Sequence, residues 1–143
     1  MDYDKTAMPG VYDSGRCHTP DVLAHWLAII ESHISRDKVN KIVGLGCGTG
    51  RFTGPLAEFY GASAVGVEPS NDMPAKARAK TWPEGVRFKQ GSAEAVRLAD
   101  GCCDLDFMSM VFHHIADRGA TARECRQLCH DNGHVCFRQP SQE

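Results

Sequence analysis

The segment Ile42-Val43-Gly44-Leu45-Gly46-Cys47-Gly48-Thr49-Gly50 constrains the fold more than any other: a short apolar strand runs directly into glycines at every second position. Glycine tolerates φ > 0 and has no Cβ to block a close approach, and its entropic cost makes such a cluster expensive unless the turn requires it. A strand-to-helix turn of this kind presents bare backbone to a ligand, so a small-molecule site is expected where the strand ends. The spacing narrows the choice. The dinucleotide pattern GxGxxG fails, because counting from Gly44 its last glycine falls on Thr49, and counting from Gly46 on Arg51. A Walker loop fails as well, because Arg51 and Phe52 follow Gly50 in place of Lys and Ser or Thr.

Around this turn the chain reads as alternating helices and strands. Thr19-Pro20-Asp21 is a helix start, and Val22, Leu23, Trp26, Leu27, Ile30 and Ile34 recur at helical spacing, which predicts a helix through about residue 35. Strands are expected over 41–45, 64–67, 86–90, 105–110 and 135–138, with helices over 51–60, 71–80 and 120–129. Gly61 stops the second helix, Pro55 must sit in its first turns, and Ser70 caps the third. Asp131-Asn132-Gly133 reads as a turn before the last strand. Strands separated by helices imply a parallel sheet with right-handed crossovers, and ligands in such sheets bind at the carboxyl ends of the strands.

The landmarks beyond the glycine turn fit one pattern. Ala64-Val65-Gly66-Val67 ends in Glu68-Pro69-Ser70, which puts an acid at a strand's carboxyl end, where it can accept hydrogen bonds from ribose hydroxyls. Gln90-Gly91-Ser92-Ala93-Glu94 follows, and then Asp104-Leu105-Asp106-Phe107-Met108-Ser109-Met110-Val111-Phe112-His113-His114. Over residues 40 to 140 this order resembles the class I S-adenosylmethionine (SAM) dependent methyltransferases, with LGCGTG similar to their motif I. The resemblance implies an α/β, Rossmann-like fold whose mostly parallel sheet has strand order 3-2-1-4-5 and helices on both faces. The family's sixth and seventh strands are absent from this stretch. The fifth strand is then an open edge, and the chain is expected to be truncated or to form a homodimer through that edge.

The resemblance also implies site residues. Gly46, Cys47, Gly48, Thr49 and Gly50 would wrap the cofactor, S-adenosyl-L-methionine, while Glu68, with Pro69 and Met73 nearby, would hold its ribose. Ser92, Ala93 and Glu94 would hold its adenine, and Met108, Ser109 and Met110 would line the crevice at the fourth strand. The segment before the first helix folds over the cofactor in similar enzymes, which points Arg16 at the methionine carboxylate, an anion suited to a guanidinium. The cofactor carries the reactive methyl group. His113 and His114 lie where an acceptor would approach and are the candidate proton acceptors, weighed against a capping and a solvent-exposed histidine. Two positions depart from the family: Gly44 and Ser92 each stand where an acid is usual. The loss of two charge-assisted hydrogen bonds predicts weak SAM binding.

Composition fits one domain over residues 1–143, with 1–38 a lid segment and helix and 39–143 the core: 143 residues and 42% hydrophobic content suit one core. No apolar run is long enough to span a membrane and the polar start lacks the plan of a signal peptide, so the cytoplasm is expected. A net charge of -2 without a Lys/Arg cluster argues against nucleic acid and membrane partners and favours a small-molecule substrate. The odd count of seven cysteines argues for free thiols. A zinc site at Cys125, Cys129, His130 and His134 lacks a CxxC pair, and buried small hydrophobes are the simpler reading. Trp26 and Trp82 are read as packing. Asp106, in mid-strand, is a buried carboxylate of high cost. The fourth strand's exit lacks the (Asp/Asn)-Pro-Pro-aromatic motif of nucleic-acid amino-methylating enzymes, and there is no Pro-Cys pair for attack on a pyrimidine. The function expected is therefore methyl transfer to a small molecule. The alternatives are a SAM-binding relative without activity, in regulation or assembly, and a nicotinamide oxidoreductase, which the glycine spacing opposes.

Overall fold

The computed structural model of the chain describes residues 20–46, 52–69, 84–109 and 116–138. The expected helix over 71–80, the Thr19 and Ser70 caps and Trp82 lie outside them. Helix α1 spans Pro20–His33, a 3-10 turn follows at Arg36–Lys38, and strand β1 spans Lys41–Leu45. Helix α2 (Thr53–Tyr60), β2 (Ser63–Glu68), β3 (Val86–Gln90), β4 (Cys103–Ser109), α3 (Arg118–Leu128) and β5 (Cys129–Arg138) complete the order. All strand pairs are parallel, and the sheet order is β3-β2-β1-β4-β5. This is the topology expected from the sequence.

Central β1 reads Lys-Ile-Val-Gly-Leu and is buried at every position after its first. A strand covered on both faces is nearly continuous in apolar residues, as here. Each face of the sheet carries its own core. On one, Leu27, Ile30 and Ile34 of α1 and Leu56, Ala57 and Tyr60 of α2 join Ile42, Ala64, Leu105 and Phe107. On the other, Val43, Leu45, Val67 and Met108 join Val96, Cys125 and Leu128. Val22, placed on the apolar stripe of α1 by its spacing, is 42% exposed.

Local chemistry sets the ends of the elements. Helix α2 ends at Gly61, whose φ of 62° is left-handed, with Ala62 N–H donating to the Ala57 carbonyl and Gly61 N–H to that of Glu58. That is a Schellman ending, which glycine adopts without Cβ strain. Pro55 is the third residue of α2, where its missing N–H costs no helix hydrogen bond. The Tyr60 hydroxyl donates to the Ile34 carbonyl at 2.8 Å, satisfying an orphan acceptor just past the end of α1. Helix α3 starts two residues before the expected position, because the Asp117 carboxylate accepts from Ala120 N–H at 2.9 Å and acts as its N-cap.

At the amino ends of the strands, Asp104 serves as a staple. Its Oδ2 accepts from the backbone N–H of Asn40 (2.8 Å) and Lys41 (2.9 Å), and Oδ1 meets Nε2 of His130. Partial burial pushes this carboxyl up, but the Asn40, His130 and Lys41 hydrogen bonds outweigh it and hold it below its ordinary value. The staple ties β4 to the start of β1 and to β5.

Strand β5 departs from the expected turn. It starts at Cys129 opposite Cys103, and the ladder resumes with His134 opposite Leu105, so five residues of β5 advance where β4 advances two. Asp131, Asn132 and Gly133 sit in this irregularity, with Asn132 N–H bonded to Nδ1 of His130 at 3.0 Å. The turn-forming residues are absorbed into a broad bulge, and pairing with β4 begins before them.

Candidate functional site

The parallel register brings the carboxyl ends of β1, β2 and β4, with Gly46, Glu68 and Ser109, to one end of the sheet. Leu45 pairs with Val67, so Gly46, the first residue past β1, comes beside Glu68, the last of β2. Gly46 has φ of 62°, which starts the glycine turn in the left-handed region. Glu68 is 4% exposed and pairs with Gln90 at the end of β3. Gly91 N–H donates to the Glu68 carbonyl, and Gln90 Nε2 donates to the Pro69 carbonyl at 3.2 Å, so the exits of β2 and β3 are bonded together. Gln90 opens the 90–94 landmark in the sequence but is assigned no role there, since its bond to Pro69 joins two different strand exits.

Ser92 to Glu94 follow Gly91 at the exit of β3. Ala95 N–H closes a turn on the Ser92 carbonyl, and Glu94 N–H donates to Ser92 Oγ at 3.1 Å. Ser92 thus supplies the side-chain acceptor that an aspartate would give such a turn, but not its charge. Ala93 is buried at the rim of the core. At the end of β4, Met108 is 1% exposed and belongs to the core cluster with Val43 and Cys125, while the backbone of Ser109 ends the strand beside Arg138. Arg16, Cys47, Gly48, Thr49, Gly50, Met73, Met110, His113 and His114 lie outside the described residues.

Gly44 has a structural reason to be glycine. A Cβ there would stand 2.3 Å from Oγ1 of Thr53, a 2% exposed residue at the start of α2. A real Cβ does not tolerate that distance, and because Thr53 is itself buried, the packing around it would have to shift to admit one. The position that carries an acid in similar enzymes is here closed by the threonine hydroxyl. No sequence pattern pointed to Thr53, because the contact joins a strand to the following helix across the glycine turn.

In the middle of β4, opposite Val43, Asp106 is fully buried, with neither carboxylate oxygen meeting a hydrogen-bond partner among the described residues. Burial pushes its carboxyl up to about 7, and the neighbouring Cys125 thiol offsets only part of that rise. Among the described residues, no group of three or more His, Cys, Asp or Glu is placed to hold a metal ion, and no helix is long and apolar enough to cross a membrane.

This chain matches known proteins over the same strands. A family model described as a methyltransferase domain matches residues 43–137. A ubiquinone biosynthesis O-methyltransferase of Azorhizobium caulinodans is 34% identical over 95 residues, covering 65% of this chain and 37% of that protein. A malonyl-[acyl-carrier protein] O-methyltransferase of Legionella pneumophila is 32% identical over 99 residues, covering 68% of this chain and 35% of that protein. The match thus spans little more than a third of those relatives' length. Among solved structures, a SAM-dependent methyltransferase of Mesorhizobium loti is similar with a TM-score of 0.68 at 27% identity, over 80% of this chain and 52% of that one. One of Thermotoga maritima gives 0.63 at 25% identity, over 80% and 50%. With its strand order in agreement with these likenesses, the chain belongs to the class I SAM-dependent methyltransferase family.

Proposed function

We propose that this chain binds SAM at the carboxyl ends of β1 to β4 and transfers the cofactor's methyl group to a small-molecule acceptor. The observation that carries this reading is the buried Glu68 beside the left-handed Gly46, an acid next to the start of a glycine turn. The residues present fit the cofactor: a carboxylate for ribose hydroxyls, a Cβ-free approach at Gly46, and a tight Ser92 turn for the adenine edge. Gly48 and Gly50 would extend the backbone wall, with Cys47 and Thr49 beside them. Pro69 and Met73 would flank the ribose, and Ser109 and Met110 the crevice. Arg16 would meet the methionine carboxylate.

When bound, SAM supplies an electrophilic methyl group on a sulfonium. The chain's own task is to align the acceptor behind that methyl and to remove its proton. His113 or His114 would take that proton, since imidazole accepts one near neutral pH. The O-methyltransferase relatives support an oxygen nucleophile. In this reading residues 39–143 are the cofactor-binding core, residues 1–38 a lid and helix, and the open edge of β5 a place of self-association.

A second reading is favoured by one observation: Thr53 fills the space of the acid missing at Gly44, which suits a SAM-binding protein without catalytic activity. Incubation of the chain with SAM and a panel of phenols and carboxylic acids separates the two. The first reading expects S-adenosylhomocysteine in step with a methylated product, lost in a His113→Ala, His114→Ala double variant. SAM binding with no product from any acceptor favours the second.

A further inference from the structure

Four cysteines gather at the end of the sheet opposite the candidate cofactor site. Cys102 and Cys103 enter β4, while Cys125 lies on the buried stripe of α3 between Thr121 and Leu128, and Cys129 opens β5. Two of them face each other. Cys103 and Cys129 are register partners, and their Sγ atoms lie 3.7 Å apart as free thiols. Neighbouring strands run about 4.8 Å apart, within the range of Cα separations, about 4.4 to 6.8 Å, that a disulfide bridges. Forming the bond, about 2.0 Å long, needs side-chain rotation rather than movement of the strands.

The two thiols are unequal in ways that suit stepwise oxidation. Cys103 is 1% exposed, whereas Cys129 is only half-buried. The Cys103 hydrogen bond lowers the Cys129 thiol against the opposing effect of burial, while the same bond and burial push the Cys103 thiol up. The thiolate is the reactive form, and Cys129 is both more acidic and more accessible. Its position is fixed by the bulge that follows it, where His130 is bound to Asp104 and Sγ of Cys129 lies 3.5 Å from the His134 carbonyl.

We propose that Cys103 and Cys129 are a dithiol modification site, closed to a disulfide by hydrogen peroxide. The Cys129 thiolate attacks the O–O bond and becomes a sulfenic acid, and the displaced hydroxide leaves as water after taking up a proton. The Cys103 sulfur then attacks the sulfenic sulfur, forming the S–S bond, while its own proton leaves with the hydroxyl as a second water. Peroxide gains the two electrons that the thiols lose. The bond ties the start of the edge strand β5 to β4, and thiol reagents such as dithiothreitol reverse it. Closing a loop of this length raises Tm by about 5–10 °C. The proposal is independent of what the opposite end of the sheet binds.

The test uses the full chain with Cys102→Ser and Cys136→Ser, which removes the ambiguity of cysteines sharing proteolytic peptides. After treatment with hydrogen peroxide and alkylation of free thiols, digestion and mass spectrometry should recover the Cys103 and Cys129 peptides linked. The linked pair should be lighter than the separate peptides by two hydrogens and lost on reduction. With Cys103→Ala added, dimedone should trap sulfenic acid at Cys129 as the major species. Should that variant fail to fold, the linked peptide and the reversible Tm rise of the parent remain the readout. Oxidation of Cys129 only to sulfinic or sulfonic acid, with Cys103 unlinked, overturns the proposal. So does a disulfide that forms mainly through Cys125.

Discussion

Two residues decide what the interior tolerates. Gly44 and Thr53 interlock, so Gly44→Ala should cost about 1–3 kcal/mol by overpacking. Thr53→Ala in the same chain should recover most of it, because the threonine Cβ itself stands 3.4 Å away, an ordinary contact. Denaturant titration of both single variants and the double gives the coupling, and additive costs would contradict the interlock. Restoring the acid with Gly44→Asp alone should destabilise the chain rather than improve SAM binding. Asp106 sets a pH dependence. Its carboxyl stands at about 7 in the folded chain against 3.8 unfolded, so its contribution is fully present below about pH 4 and lost as pH rises to 7. The loss is on the order of 4 kcal/mol, because each tenfold change in proton affinity is worth about 1.4 kcal/mol. Asp106→Asn should match the parent in acid and exceed its stability by a few kcal/mol at pH 8. Parallel pH-stability curves for the two would refute the assignment.

At the scale of elements, Asp104 ties three strands at their amino ends. Asp104→Ala should cost roughly 2–3 kcal/mol, because it leaves two backbone N–H groups without their charged acceptor. Its carboxyl is held below its ordinary value, so the contribution is present above about pH 4 and lost as pH falls through the depressed value. Thermal unfolding at pH 7 and pH 2.5 checks both, since the difference between parent and variant should shrink in acid. The element order was legible because strand and helix periods differ and glycine punctuates them. The sheet order and the meeting of Gly46 with Glu68 came with the resemblance, whose motifs mark strand ends. The start of β5 was not legible: Asp131-Asn132-Gly133 is a turn by local preference, and only pairing with Cys103 across the sheet draws the chain into a strand before it. Thr53 and the Asp104 staple were hidden for the same reason, each being a contact between residues distant in sequence or separated by a turn.

At the scale of the molecule, β5 is an edge of the sheet among the described residues, and Val135 and Phe137 on it are 43% and 48% exposed. A groove of about 440 Å³ runs beside it, lined by Trp26, Ile30, Phe52, Phe107, Cys136 and Phe137. An apolar edge of this kind favours self-association, and Val135→Lys with Phe137→Lys should shift the chain toward monomer in light scattering. A parent that stays monomeric at high concentration contradicts this. The central claim concerns the opposite end of the strands, where β2 ends at Glu68 level with Gly46. Calorimetric titration of SAM into the parent and into Glu68→Ala tests it most directly. The account predicts measurable binding by the parent and a loss of about 10- to 100-fold in the variant, the value of a charge-assisted hydrogen bond pair to ribose. Equal affinity of the two proteins, or no heat from either, would contradict it.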